Sequence, residues 1–271
     1  MSEKHVIRPS AITQFSRCGE QYRRAQIEKE YIPPGIAAIK GTSVHRGAEK
    51  NFSQKITSKI DLPKKEIIQT SVGAFEDIVK FEGVNLSEEE KSKGKVKVMD
   101  EGRKGVEVFA SLYVDKVAPR WNPIFVEEKR SVDIPGTDAV LSGSVDVIDA
   151  RNIVGDIKTS NKSKNQGEVD SSPQFTAYAL LHKAVTGKLP EAIFVESLVS
   201  TKVPKAETLV TYRRLDDFES LLIIINQITK AVAHGVFPYS YGQAGAWWCS
   251  PRFCGYWSTC LAVPKYRRGE K

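Results

Sequence analysis

The stretch from Ala139 to Thr159 limits the possible folds more than any other part of the chain. Two runs rich in β-branched and aliphatic residues, Ala139 to Ile148 and Ile153 to Thr159, flank Asp149-Ala150-Arg151-Asn152. Asp and Asn bond their own backbone and tolerate tight turns, so the two runs read as an antiparallel hairpin. Side chains two apart on a strand share a face, so Asp156 and Lys158 point the same way. With the turn centred near Arg151, Asp146 falls opposite Asp156. Two carboxylates and an ammonium then converge, and adjacent carboxylates repel unless a cation separates them. Hard divalent cations with oxygen ligands suit such a place. Taken alone, Asp-x-Lys also reads as a charged pair on an exposed strand.

Around this hairpin the pattern is mixed. Ser10 reads as the N-cap of a first helix with apolar Ile12, Phe15, Tyr22 and Ile27, ended by Pro33-Pro34-Gly35. A second helix is expected from Thr42 to Ile56 with His45 near its start, then helices around Phe75 to Phe81 and over 100–118. A strand is expected at Ile124 to Glu128. Ser171-Ser172-Pro173 opens a helix that runs to Gly187. Strands Ala192 to Val199 and Thr208 to Arg214 precede a helix from Asp217 to His234 that stops at Gly235. The expected fold class is α/β, one domain over 1–271. It comprises an N-terminal helical part over 1–60, a sheet core over 120–215 and a cysteine-rich segment over 236–271.

The chain has 271 residues, 41% of them hydrophobic, enough for a proper core. Leu221 to Ile225 is the longest apolar run, too short to cross a membrane. The start, Met-Ser-Glu-Lys-His, has no apolar signal core, so a cytoplasmic location is expected. The net charge of +7 is uneven. Both ends and residues 151–188 are basic, whereas 61–150 is acidic. Basic surface beside an acidic pocket suits an enzyme that cleaves phosphodiesters, although ordinary solvated charge also gives this total.

Four cysteines in a reducing compartment need a reason other than disulfides. Cys249, Cys254 and Cys260 cluster near the end, while Cys18 lies near the start, and no CxxC pair exists. Zinc ribbons usually present such pairs. An iron–sulfur cluster tolerates wider, uneven spacing, and a 4Fe–4S cluster uses four cysteines with none left over. Zinc and free thiols remain the other readings. Trp247, Trp248, Phe253, Tyr256 and Trp257 crowd these cysteines. They are expected to shield a cluster, the alternative being stacking on bases of single-stranded DNA.

Five ordered blocks carry a resemblance. Ser10-Ala11-Ile12-Thr13-Gln14-Phe15 with Cys18 and Tyr22 opens the series, and Gly41-Thr42-Ser43-Val44-His45 follows. Then come Gly143-Ser144-Val145-Asp146, Asp156-Ile157-Lys158-Thr159-Ser160 and Gln174-Phe175-Thr176-Ala177-Tyr178. The order resembles the RecB-type, AddB-like branch of the PD-(D/E)xK nucleases. The resemblance implies a restriction-endonuclease-like mixed sheet flanked by helices. It implies metal held by His45, Asp146, Asp156 and the main-chain carbonyl of Ile157, with Lys158 as the catalytic lysine. Gln174 and Tyr178 match the motif that positions DNA or supports that lysine. Glu127 and Glu128 precede the hairpin, and their part in the metal shell is open. The second motif residue is Asp156 where glutamate is frequent, which the pattern permits. Some relatives place one cysteine before the nuclease motifs and three after, which adds weight to the cluster. They often leave two residues after the first of the three, where this chain has four.

The implied activity is Mg2+- or Mn2+-dependent hydrolysis of DNA at ends, an exonuclease of recombination or repair. His45, as a nitrogen ligand, favours Mn2+. The alternatives are a structure-dependent or CRISPR-adaptation-like endonuclease and an inactive nucleic-acid-binding protein. The sequence holds no GxxxxGK[ST] motif, so unwinding falls to a separate helicase. A free-standing nuclease of this size resembles bacteriophage recombination exonucleases, which work beside a single-strand annealing protein.

Overall fold

The computed structural model describes residues 4–269; Met1 to Glu3, part of the start read above for export, and Glu270 and Lys271 in the basic tail lie outside the described residues. The helices in chain order are α1 (Pro9–Arg17), α2 (Gly19–Tyr22), α3 (Ile36–Ser58), α4 (Lys64–Phe81), α5 (Glu88–Lys93), α6 (Lys95–Leu112), α7 (Gln166–Asp170), α8 (Pro173–Thr186), α9 (Leu215–His234) and α10 (Lys265–Arg268). The strands are β1 (His5–Ile7), β2 (Pro123–Val126), β3 (Lys129–Asp133), β4 (Ala139–Ser144), β5 (Val147–Asp149), β6 (Ile153–Ser160), β7 (Ala192–Val199) and β8 (Lys205–Thr211).

They form two mixed sheets, ordered β2-β5-β6-β7-β8 and β1-β4-β3. In the larger sheet β6 and β7 are parallel and the remaining neighbours antiparallel. Alternation along β6 sends Ile153 and Ile157 into a core shared with α3, α4 and α6. Val154, one residue out of phase, meets Phe175 and Tyr178 of α8 in a second core. Helices thus cover both faces, and a third core joins α1, α8 and α9 to the smaller sheet. Among the described residues, no helix is long and apolar enough to cross a membrane.

Several boundaries differ from the sequence reading. The first helix starts at Pro9 with Arg8 at the N-cap position, so Ser10 is not the cap, and it breaks at the extended Cys18 rather than at the prolines. The helix bearing His45 begins at Ile36 and runs through Gly41. α4 is longer than Phe75 to Phe81 because a narrow stripe of Ile67, Ser71 and Phe75 suffices to bury it.

The largest difference lies in the run Ala139 to Ile148, which is not one strand. It splits at Val145-Asp146 into β4 and β5, members of different sheets. The partner strand splits as well, at Glu127-Glu128, between β2 and β3. Lys129 pairs with Ser144 and Val126 with Val147, so one antiparallel register continues through the kink. Glu127 and Asp146 are therefore opposite each other at the bend, and the Glu127 amide donates to the Asp146 carbonyl at 3.3 Å.

Candidate active site

β5 ends opposite Gly155, and β6 runs on with that side open, because the chain before Val147 has turned away into the smaller sheet. Asp156, Ile157 and Lys158 lie along this gap. The Ile157 amide donates to Asp146 Oδ2 at 2.7 Å, which bridges the two halves of the hairpin where ladder bonds stop. The N–H and C=O of a strand residue point to the same side, so the Ile157 carbonyl faces the gap too. Lys158 Nζ donates to Asp156 Oδ1 at 2.8 Å, and Asp156 is fully buried. Its other oxygen, Oδ2, is buried without a hydrogen-bond partner.

α3 brings His45 from one face of the sheet, with Nδ1 3.3 Å from Asp146 Oδ2. Glu127 arrives from the kink, where it takes a left-handed φ of 47°, and Ser144 Oγ donates to its Oε2 at 2.8 Å. Ligand atoms of His45, Glu127 and Asp146 all lie within 4.8 Å of one another. Asp156 is outside this trio. α8 supplies Gln174 and Tyr178 from the opposite face, and Gln174 Nε2 donates to Tyr178 Oη at 2.8 Å. The structure thus separates the two glutamates: Glu127 joins His45 and Asp146, whereas Glu128 pairs with buried Arg130 at 2.7 Å.

The electrostatics follow from burying several charges together. Burial alone would push the His45 imidazole down, but the Asp146 carboxylate carries it up to about 9. Asp146 is held below the usual carboxylate range; burial opposes this, and His45 outweighs it. Asp156 is pushed up, mainly by burial, and Glu127 is raised by burial and then by Asp146. Tyr178 is raised by burial, with the nearby Asp156 and Asp146 carboxylates adding to the effect. This is a set of acidic oxygens short of positive charge. A divalent cation fits it: the orphaned Asp156 Oδ2 and the close trio give it oxygen and nitrogen donors.

Cys18, Cys249, Cys254 and Cys260 are free thiols that line one small cavity with Tyr239, Tyr241, Tyr256 and Trp257. Burial, opposed by the Tyr256 amide and aided by the other three thiols, lifts Cys254 to about 11. Among the described residues, no three of the sulfurs come within 4.8 Å of one another, so the thiols are not drawn together at single-ion spacing. The aromatic residues of this segment divide. Tyr256 is buried and Trp257 lines the cavity, while Trp247 is 56% exposed and Phe253 53% exposed, both facing away. Shielding by all five rings is therefore not what the fold does.

The PD-(D/E)XK nuclease superfamily pattern matches residues 7–261. A crystal structure from Eubacterium rectale, of a protein provisionally named an exonuclease, shares the fold with TM-score 0.57 and 11% identity, over 90% of this chain and 88% of its own. A second solved structure, SSO0001, matches 97% of this chain and 90% of its own at 12% identity, with a TM-score of 0.45 that is too low to carry weight. No curated protein matches the chain. With a family match across nearly its whole length and carboxylates converging at the edge of a mixed sheet, the chain belongs to the PD-(D/E)XK nuclease superfamily.

Proposed function

We propose that the protein is a Mg2+- or Mn2+-dependent deoxyribonuclease of the RecB-type branch that degrades DNA from its ends. The observation that carries this reading is the convergence of His45, Glu127 and Asp146 beside the Asp156–Lys158 pair. His45, Asp146, Asp156 and the Ile157 carbonyl hold the cation, and Glu127 joins them. When bound, the ion supplies Lewis acidity to the scissile phosphate and to the attacking water. Lys158, fixed by Asp156, presents an ammonium to the charge that builds on the phosphate. Gln174 and Tyr178, bonded to each other, support this face from α8.

Action at ends agrees with an open cavity of about 690 Å³ between the N-terminal helical part and the cysteine segment, which reaches α3 and Asn161 after β6. The provisional name of the Eubacterium rectale protein agrees with this direction. A recombination or repair role follows, with a separate helicase or a single-strand annealing protein handling the other strand.

Cys18, Cys249, Cys254 and Cys260 are assigned to a 4Fe–4S cluster. Their convergence on one small cavity supports this, and their uneven spacing along the chain, without a CxxC pair, favours a polynuclear cluster over zinc. When bound, the cluster ties α1 to the C-terminal segment.

The deciding experiment digests end-labelled linear DNA and closed-circular DNA with Mg2+ or Mn2+. Wild type is expected to degrade only the linear form, and Asp146→Ala and Lys158→Ala to lose this activity while keeping their circular dichroism. Undiminished activity in those variants would sink the assignment, and cleavage of closed circles would favour an endonuclease.

A further inference from the structure

The rings that turn away from the cysteines form a surface of their own. Trp247 and Phe253 meet edge to face with centroids 5.0 Å apart, and Trp247 and Trp248 at 5.8 Å. The Arg17 guanidinium lies 5.5 Å from the Trp247 ring and 5.9 Å from the Trp248 ring, and that of Arg252 lies 5.5 Å from Phe253. Large rings left in water cost free energy, and a core need not leave them there. Here they are paired with guanidinium groups, both at the surface; among the described residues Arg17 has no ion-pair partner, and Arg252 pairs loosely with exposed Glu89 at 3.6 Å.

This patch is continuous with the cavity described above. Arg252 and Phe253 stand on the cavity wall as well as on the patch. From there the cavity passes Lys29 and Asn85 and reaches Lys40 on α3 and Asn161 just past the end of β6. Lys40 lies five residues before His45 on α3, its ammonium 5.5 Å from the Phe109 ring, and Asn161 follows the strand that bears Asp156 and Lys158.

We propose that Trp247, Phe253, Arg252 and Arg17 form a stacking platform for the unpaired bases of a single DNA strand, at one end of the cavity whose far wall includes α3, the helix that carries His45. This rests on the nuclease reading. Rings offer faces to bases irrespective of sequence, and guanidinium groups add stacking and attraction to phosphates. Paired bases have no free face, so a blunt duplex gains nothing from the platform. The platform thus favours substrates with a frayed or single-stranded end.

The test measures binding by fluorescence anisotropy in EDTA, which removes hydrolysis. The probes are a labelled oligothymidylate of about 16 nucleotides, the upper site size of one binding module, and a blunt duplex of equal length. The double variant Trp247→Ala, Phe253→Ala is expected to lose tenfold or more in affinity for oligothymidylate, as expected from about one lost stacking contact. Its duplex affinity should stay at the wild-type level. Arg252→Gln should lose a smaller factor, and Trp247→Tyr should restore binding because a ring returns. Unchanged oligothymidylate affinity in the double variant, equal losses on both probes, or failure of the tyrosine to restore binding would each overturn the platform. Hydrolysis of bis-p-nitrophenyl phosphate by wild type with Mn2+ tests the nuclease reading separately. Failure there leaves the binding result standing, and failure of binding leaves the hydrolysis standing.

Discussion

Glu127 occupies a backbone conformation that L-residues avoid, with φ of 47° in the middle of what would otherwise be a continuous strand. That conformation turns its carboxylate toward Asp146 and leaves Glu128 for Arg130. Glu127→Gln is expected to weaken Mn2+ binding at least as much as losing an outer-sphere partner does, about 10- to 100-fold, by calorimetric titration. Glu128→Gln should bind Mn2+ normally and lose stability on the order of 1 kcal/mol, because its partner Arg130 is buried. A second residue reports on pH. His182 is buried, its Nε2 2.8 Å from Asn152 Oδ1 and its Nδ1 facing Arg130 at 3.3 Å. Burial, then Arg130, lowers it from 6.5 to about 4. Between those two values the unfolded chain binds the proton and the folded one does not. Stability should therefore fall as pH drops from 6.5 toward 4. Melting midpoints of His182→Gln should be flatter than wild type across that window; parallel curves would refute the assignment.

At the level of elements, the hairpin was readable where local chemistry decided it. Asp149 accepts from the amides of Asn122 and Arg151, and β5 pairs with β6 as a turn centred near Arg151 requires. The Asp156–Lys158 pairing follows from strand alternation alone. The kink was not readable, because its cause is nonlocal: β4 is pulled toward β1 and β3, β5 toward β2 and β6. Periodicity reports which face a residue takes, and it is blind to where a strand changes sheets. Hence Glu127 stood as one of two equal candidates. The start of α2 was hidden for a similar reason. A Cβ on Gly19 would stand 2.6 Å from Pro238 Cδ and 2.7 Å from its nitrogen, a contact across nearly the whole chain. Gly19→Ala is expected to cost about 1–3 kcal/mol through this overlap. Limited proteolysis should then cut the segment after Pro238 faster than in wild type, and equal cutting rates would argue against the packing.

The whole molecule is closed by contacts between its two ends. The Arg17 carbonyl accepts from Ser240 Oγ and from Trp248 Nε1, and Arg24 Nη2 donates to Thr259 Oγ1 at 2.7 Å. The proposed cluster would close so long a loop that it would restrict the unfolded chain strongly. Cys254→Ser should lose the visible absorbance of anaerobically purified protein and unfold at lower temperature, whereas colourless wild type with stoichiometric zinc would overturn the cluster.

The meeting of α1 with residues 237–248 also sets an order of events during synthesis. Chains generally fold from the N-terminus as they emerge, yet here the first helix waits for a partner made 223 residues later. A ribosome that stops before residue 237 releases a chain carrying Asp146, Asp156 and Lys158 but lacking Ser240 and Trp248, which bond the end of α1. Synthesis of residues 237–248 is thus registered by a helix made long before it, and the carboxylate site stands in a chain whose first helix is packed only after that segment appears.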